Sequence, residues 1–258
     1  MKKIIWVFIV CLIFTLKSNG QSFYAGGSVG IGLNGSPIMI PNNSYTGAAT
    51  SISLLGGYTL KNNHVCFDVA YNHISSNFTG GGDQTVGAYS INRNRIIPTV
   101  KLLLGAADVS LYIKLGFILD LPGVVQKDMV YSTFDTLLSA PSSNQYSGYI
   151  TAFTQSGVSF GFPIVIGLNF RVSENVSLFI ECNSSSYHWS PSHSEVIDGG
   201  GSDLSKFTIA QKQQNYVLEP AKSNDPNQPT QVQVTSYSFS NTGLNFGLII
   251  HFGKKKEA

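Results

Sequence analysis

The chain has 258 residues, 43% of them hydrophobic, only 12% charged, and a formal net charge of +2. So small an excess of positive charge excludes a nucleic-acid partner held through phosphates. After the first two dozen residues, no apolar run is long enough to cross a bilayer as a helix.

The N-terminus has the three parts of a secretory signal peptide. Lys2 and Lys3 supply the positive region, and Ile4 to Leu16 is apolar apart from Thr15. Ser18-Asn19-Gly20 places small residues at the cleavage positions, so residues 1–20 are expected to be removed before Gln21. Cys11 lies inside the apolar run after Val10, with no small-residue lipobox around it.

From Gln21 onward the chain alternates with a period of two, the signature of strands with two different faces. In the first strand Phe23, Ala25, Val29, Ile31 and Leu33 share one face, and Tyr24, Gly26, Ser28, Gly30 and Gly32 the other. The second carries Ile52, Leu54, Tyr58 and Leu60, the third Val65, Phe67, Val69 and Tyr71. The fourth has Ile96, Val100, Leu102 and Leu104, and the fifth Val109, Leu111, Ile113, Leu115 and Phe117. Phe160 to Phe170 alternate in the sixth, and Val176, Leu178 and Ile180 begin the seventh. The eighth is Asn245-Phe246-Gly247-Leu248-Ile249-Ile250-His251-Phe252, in which the even positions are all apolar. Val124–Phe134 and Tyr146–Phe153 are strand-like as well. They extend strands five and six, with a ten-stranded barrel as the alternative.

Connections alternate between short and long. Asn62-Asn63, Ala106-Ala107 and Ser173-Glu174-Asn175 are tight turns, across which Leu60 should face Val65, Leu104 face Val109 and Val172 face Val176. About Asn34–Ala49, Ser75–Arg93, Pro122–Ser156 and Ser190–Thr235 are long polar connections, the last expected to be mobile. Pro98 and Pro163 fall within strands and cannot donate a ladder hydrogen bond, so a bulge or a missing bond is expected at each.

A soluble lipocalin-like barrel would turn the bulky face inward. Here the opposite face holds Gly26, Gly30, Gly32, Gly57, Gly116, Gly161 and Gly167, which suits a narrow interior, so the bulky face is expected to meet lipid. The fold class is therefore all-β: an eight-stranded antiparallel up-and-down transmembrane β-barrel. The final octet, through Asn245, Gly247, Ile250 and Phe252, resembles the C-terminal insertion signal of bacterial outer-membrane barrels. With the strand count and loop asymmetry, residues 21–252 resemble the small outer-membrane β-barrels of the OmpA/OmpX type. That resemblance implies a barrel in outer-membrane lipid, inserted by the barrel-assembly machinery. Its long loops would face outward, and its termini, including a 253–258 tail, would lie in the periplasm.

Four charges fall on inward mid-strand positions: Asp68, Lys101, Lys114 and Glu181. Two acids and two bases in a poorly solvated lumen are expected to pair as a network that plugs the barrel. Arg95, Asp120 and Arg171 are inward nearer strand ends, where water should reach them. Phe23, Tyr58, Tyr71, Tyr187 and Trp189 are expected to form interfacial girdles. Cys66 reads inward and Cys182 outward, which argues against a disulfide.

No Cys/His cluster has metal spacing and no Gly loop fits a phosphate, so no metal or cofactor is expected. His73-Ile74-Ser75 and His188-Trp189-Ser190 place a His and a Ser on one strand face, a pair similar to that of lipid A deacylases. No carboxylate stands out to orient either imidazole. The expected role is therefore non-catalytic, in envelope structure or surface contact, with an extracellular ligand taken by loops 122–156 and 190–235. A lipid A-modifying hydrolase and a narrow channel are the alternatives.

Overall fold

The computed structural model describes residues 22–35, 46–60, 64–82, 85–105, 108–131, 147–155, 157–199, 203–221, 225–234 and 236–252. The expected signal segment 1–20 and the expected tail 253–258 lie outside the described residues.

Strands β1 (Ser22–Gly35), β2 (Thr46–Thr59), β3 (Val65–Gly82) and β4 (Thr85–Leu104) pair in sequence order, all antiparallel. The fifth barrel strand comprises β5 (Val109–Gly116), β6 (Ile118–Asp120) and β7 (Val124–Tyr131). The sixth comprises β8 (Ser147–Thr154) and β9 (Ser159–Arg171). β10 (Val176–Trp189) continues past a bend into β11 (His193–Asp198). Between them and the last barrel strand lie a short helix α1 (Ile209–Lys212), β12 (Gln213–Val217) and β13 (Thr230–Gln233). β14 (Tyr237–Phe252) pairs β10 on one side and β1 on the other, from Phe23↔Phe252 to Gly35↔Ser240. That pairing closes an eight-stranded barrel and leaves no backbone edge along its wall.

The wall turns its bulky residues outward. Ile31, Leu54, Phe162 and Ile164 are each more than half exposed, and their neighbours Val29, Ile52, Val69, Leu102 and Leu248 share that outer surface. Facing water, each such side chain would forgo about 1.5–3 kcal/mol of burial. A continuous belt of them fits a hydrocarbon solvent. No helix among the described residues is long and apolar enough to cross a membrane.

Inside, close packing rests on glycine. Gly57, Gly167 and Gly247 stand directly opposite Tyr24, Tyr112 and Phe179 on adjacent strands. Each ring occupies the space that a Cβ on its glycine would need. At the end bearing the termini, Tyr24, Leu55, Cys66, Phe179 and Ile249 form an apolar floor. Cys66 is buried there and Cys182 is exposed, both free thiols.

The barrel has the expected eight strands, and the strand-like segments near 124 and 147 prolong strands five and six as expected. Other expectations change. The expected loop Ser75–Arg93 is strand on both sides of residues 83–84, because β3 and β4 run on as a long hairpin. The region Ser190–Thr235, expected to be mobile, holds β11, α1, β12 and β13. Those strands extend a sheet in the order β4-β7-β8-β11-β12-β13, with β12 and β13 parallel. Leu104 pairs with Leu111 rather than Val109, a two-residue shift that keeps the facing and lengthens the turn begun by Gly105, whose φ is +106°.

The prolines share one consequence. Phe117, unpaired between β5 and β6, lies opposite Pro98, whose carbonyl accepts its N–H at 3.1 Å. On the other flank the register of Leu115↔Ile164 and Ile118↔Gly161 brackets Pro163. Both ladders therefore break at one height on the fifth strand, with no bulge and no change of register.

Glycine packing can be tested directly. Gly167→Leu should drive a side chain into the Tyr112 ring and cost at least about 1–3 kcal/mol, lowering the folded band in heat-modifiable gel migration. Gly157→Leu, with nothing within 4 Å of its Cβ position, should leave that band unchanged.

Candidate functional site

The lumen carries two charged layers. The layer nearer the termini is built from one motif used twice. Tyr24 on β1 lies over Gly57 on β2, and its hydroxyl donates to Asp68, the residue opposite Gly57 on β3. Tyr112 on β5 lies over Gly167 on β9, and its hydroxyl donates at 2.8 Å to Glu181, opposite Gly167 on β10. In each case glycine lets the ring cross one strand and reach a carboxylate on the next. Lys114 joins the two halves, with Nζ 2.5 Å from Glu181 Oε1 and 3.3 Å from Asp68 Oδ2. Asn245 approaches the other Glu181 oxygen at 3.5 Å.

Lys101 departs from the expected four-membered network. It makes no ion pair among the described residues. Its Nζ lies 4.2 Å from the Tyr112 ring centroid and 5.6 Å from that of Tyr24. Lys101 and Lys114 are direct partners across β4 and β5, so like charges stand side by side. Lys114 takes both carboxylates, and Lys101 is held against aromatic faces instead.

A second layer lies toward the far end. Arg93 donates to Asp120 Oδ2 through Nε at 2.9 Å and also through Nη2, which reaches Gln155 Oε1 at 2.5 Å as well. Arg95 Nε is 3.4 Å from Asp120 Oδ1. Gln155 in turn donates to the Gly157 carbonyl at 2.6 Å and to Ser159 Oγ at 2.7 Å. Arg95 and Asp120, expected within reach of water, are only 3% and 0% exposed, because the extended strands carry the wall past them. Arg171 is exposed.

Tyr187 and Trp189 are corrected from the outer girdle to the interior. They share the odd-numbered face of β10 with Glu181 and are 5% and 1% exposed. Tyr187 lies 4.1 Å from the Arg95 guanidinium, and Trp189 lies 5.6 Å from that of Arg93 and 6.4 Å from the Phe153 ring. Phe23, Tyr58 and Tyr71 face outward. The Phe23 and Tyr58 rings meet tilted, with centroids 5.1 Å apart, and the Tyr71 hydroxyl donates to Asn94 at 2.9 Å. In the final octet Asn245 and Gly247 face the lumen, and Ile250 and Phe252 lie on the exposed belt.

Arg93 and Gln155 lie in segments whose sequence reads as loop. The signal was available in the phase of β4, where Ile91, Arg93 and Arg95 continue the inward odd positions of Thr99 and Lys101. Of the His-x-Ser pairs, His73 and Ser75 share an outer face, and His73 Nδ1 meets the Asn94 amide oxygen at 2.9 Å rather than a carboxylate. In the other, His188 is exposed and Ser190 half-buried, with Trp189 buried between them. Among the described residues no three His, Cys, Asp or Glu side chains gather as a metal site.

A closed eight-stranded antiparallel barrel with an apolar outside and a charged inside defines a membrane-spanning β-barrel protein. The sequence matches no protein-family model and no curated protein. In fold it is similar to Neisserial surface protein A, at 12% identity and a TM-score of 0.41, over 91% of this chain and 100% of that one. It is also similar to the outer membrane protein OprG from Pseudomonas aeruginosa, at 10% identity and a TM-score of 0.41, over 91% and 97% of the two chains. The outer membrane protease OmpT from Escherichia coli shares 8% identity at a TM-score of 0.37, over 92% and 99%.

The roles of the two lysines are separable. Lys114→Met strands two buried carboxylates and should cost about 3–5 kcal/mol. Lys101→Met forfeits cation–π contact alone and should cost less than about 2 kcal/mol. Urea unfolding in lipid vesicles measures both, and equal losses would restore Lys101 to the ion-pair network.

Proposed function

We propose that the protein is a bacterial outer-membrane barrel of the OmpA/OmpX-like type that works without catalysis, through the sheet its long strands build beyond the bilayer. The observation that carries this reading is the asymmetry of the barrel. At one end the strands are joined by short connections. At the other, β4, β7, β8, β11, β12 and β13 form a sheet in that order, whose last three strands are rich in polar residues. In an outer membrane that end faces the exterior, and the termini face the periplasm. The sheet offers backbone edges and polar side chains on a rigid base, which suits contact with an extracellular ligand or envelope component.

The interior supports the same reading. An apolar floor and two layers of charged side chains cross a lumen of the size that side chains can close. Insertion would use the assembly machinery through Asn245, Gly247, Ile250 and Phe252, with outer-membrane lipid as the surrounding partner.

Orientation is read by an epitope inserted at Asp225, in the turn region before β13. It should be stained on intact cells, whereas a tag after Ala258 should need permeabilisation; the reverse pattern refutes the topology. For the filled lumen, purified protein in planar bilayers should give no long-lived conductance steps. Stable steps from a monodisperse sample would favour the channel.

A further inference from the structure

A cavity of about 100 Å³ lies between the two charged layers, with Asp68, Lys114 and Glu181 at one end and Arg95 at the other. We propose that this cavity binds one small monovalent inorganic anion, of the halide class, on the Arg95 guanidinium.

The charge count of the interior points there. The buried charged side chains among the described residues are Arg93, Arg95, Lys101 and Lys114 against Asp68, Asp120 and Glu181. Four cations against three anions leave one positive charge. Lys114 sits between two carboxylates, so the layer nearer the termini has its acids paired in charge, with Asp68 Oδ2 in ion-pair range but without a hydrogen bond among the described residues. The far layer sets two guanidinium groups against the single Asp120. Arginine does not shed its proton, so this excess cannot be removed by titration. A buried charge of this kind requires a counter-charge or hydration.

Unused donors locate the site. Arg93 Nη1 and Arg95 Nη2 are both buried with no hydrogen-bond partner among the described residues. Of the two side chains only Arg95 lines the cavity. Its Nε is engaged by Asp120 and its Cζ lies 4.1 Å from the Tyr187 ring centroid, which restrains the guanidinium from two sides. Asn183, Ser185 and Asn241 line the same cavity and bring amide and hydroxyl donors to it. The volume suits an ion of about the size of a water together with a few waters. A monovalent ion cancels the excess; a dianion would reverse its sign. Asp68 and Glu181 at the opposite end repel an anion, and so hold it at the Arg95 side.

Bromide is the probe. The whole barrel is refolded into detergent micelles in mixtures of sodium bromide and sodium gluconate at fixed ionic strength, and its thermal unfolding midpoint is followed. The midpoint should rise with bromide and saturate, as for a ligand bound by the folded state alone. Equilibrium dialysis should find about one bromide per folded chain. Arg95→Met should abolish the rise, and Lys206→Met, a highly exposed surface change, should keep it. Asp120→Asn raises the local excess and should lower the half-saturating bromide concentration at least about fivefold. A wild-type midpoint indifferent to bromide overturns the proposal, as does an equal rise in Arg95→Met, which would be a general salt effect. Should Arg95→Met fail to fold, Asp120→Asn decides: a half-saturation no lower than wild type overturns the site.

Discussion

Everything in this molecule follows from the pairing of β1 with β14. A membrane offers no water to unpaired N–H and C=O groups, so a sheet can reside there only if its first strand meets its last. Thirteen Cα pairs from Phe23↔Phe252 to Gly35↔Ser240 meet that demand. Once the sheet is closed, its diameter is set by strand number and its interior is too narrow for bulky residues at every inward position. The alternation of large outside with small or polar inside is therefore the condition for closure.

Closure also governs the charges. Inward side chains from strands far apart in sequence are forced within reach of one another, as Lys114 is of both Asp68 and Glu181. A lysine in water would gain little from such contacts, but in a lumen lined by strands it cannot withdraw to solvent. The same crowding leaves Lys101 beside another lysine and against tyrosine faces. Polar groups in the two layers thus occupy the lumen as well as carry its charge.

The barrel was legible in the sequence because period two is enforced wherever one face meets lipid. Eight alternating segments, their facing across turns and the inward set Asp68, Lys114 and Glu181 could all be read from it. What escaped lay where that enforcement ends. Beyond the belt lipid no longer enforces an apolar face, so β11, β12, β13 and the far halves of β3 and β4 carry no apolar stripe in the sequence and pass for loops. Tyr187 and Trp189 were misplaced for a different reason. Aromatics near strand ends suggest an interface, yet the odd-numbered phase begun by Glu181 runs unbroken through both and turns them inward. Lys101 was placed on the correct face, but parity says nothing of which cation wins a shared carboxylate; that depends on the cross-strand register with Lys114.

The Tyr–Gly–acid motif has a consequence for how such a sequence can change. Tyr24, Gly57 and Asp68 occupy one row across three strands, and Tyr112, Gly167 and Glu181 another. Within a row the ring exists by permission of the glycine, and the carboxylate is oriented by the ring. No member can be exchanged alone without leaving a clash, a void or an unanswered charge. Each row therefore behaves as a single inherited unit, written at three distant places in the chain, and drift in this lumen should proceed by concerted triplets while the lipid-facing residues one step away vary independently.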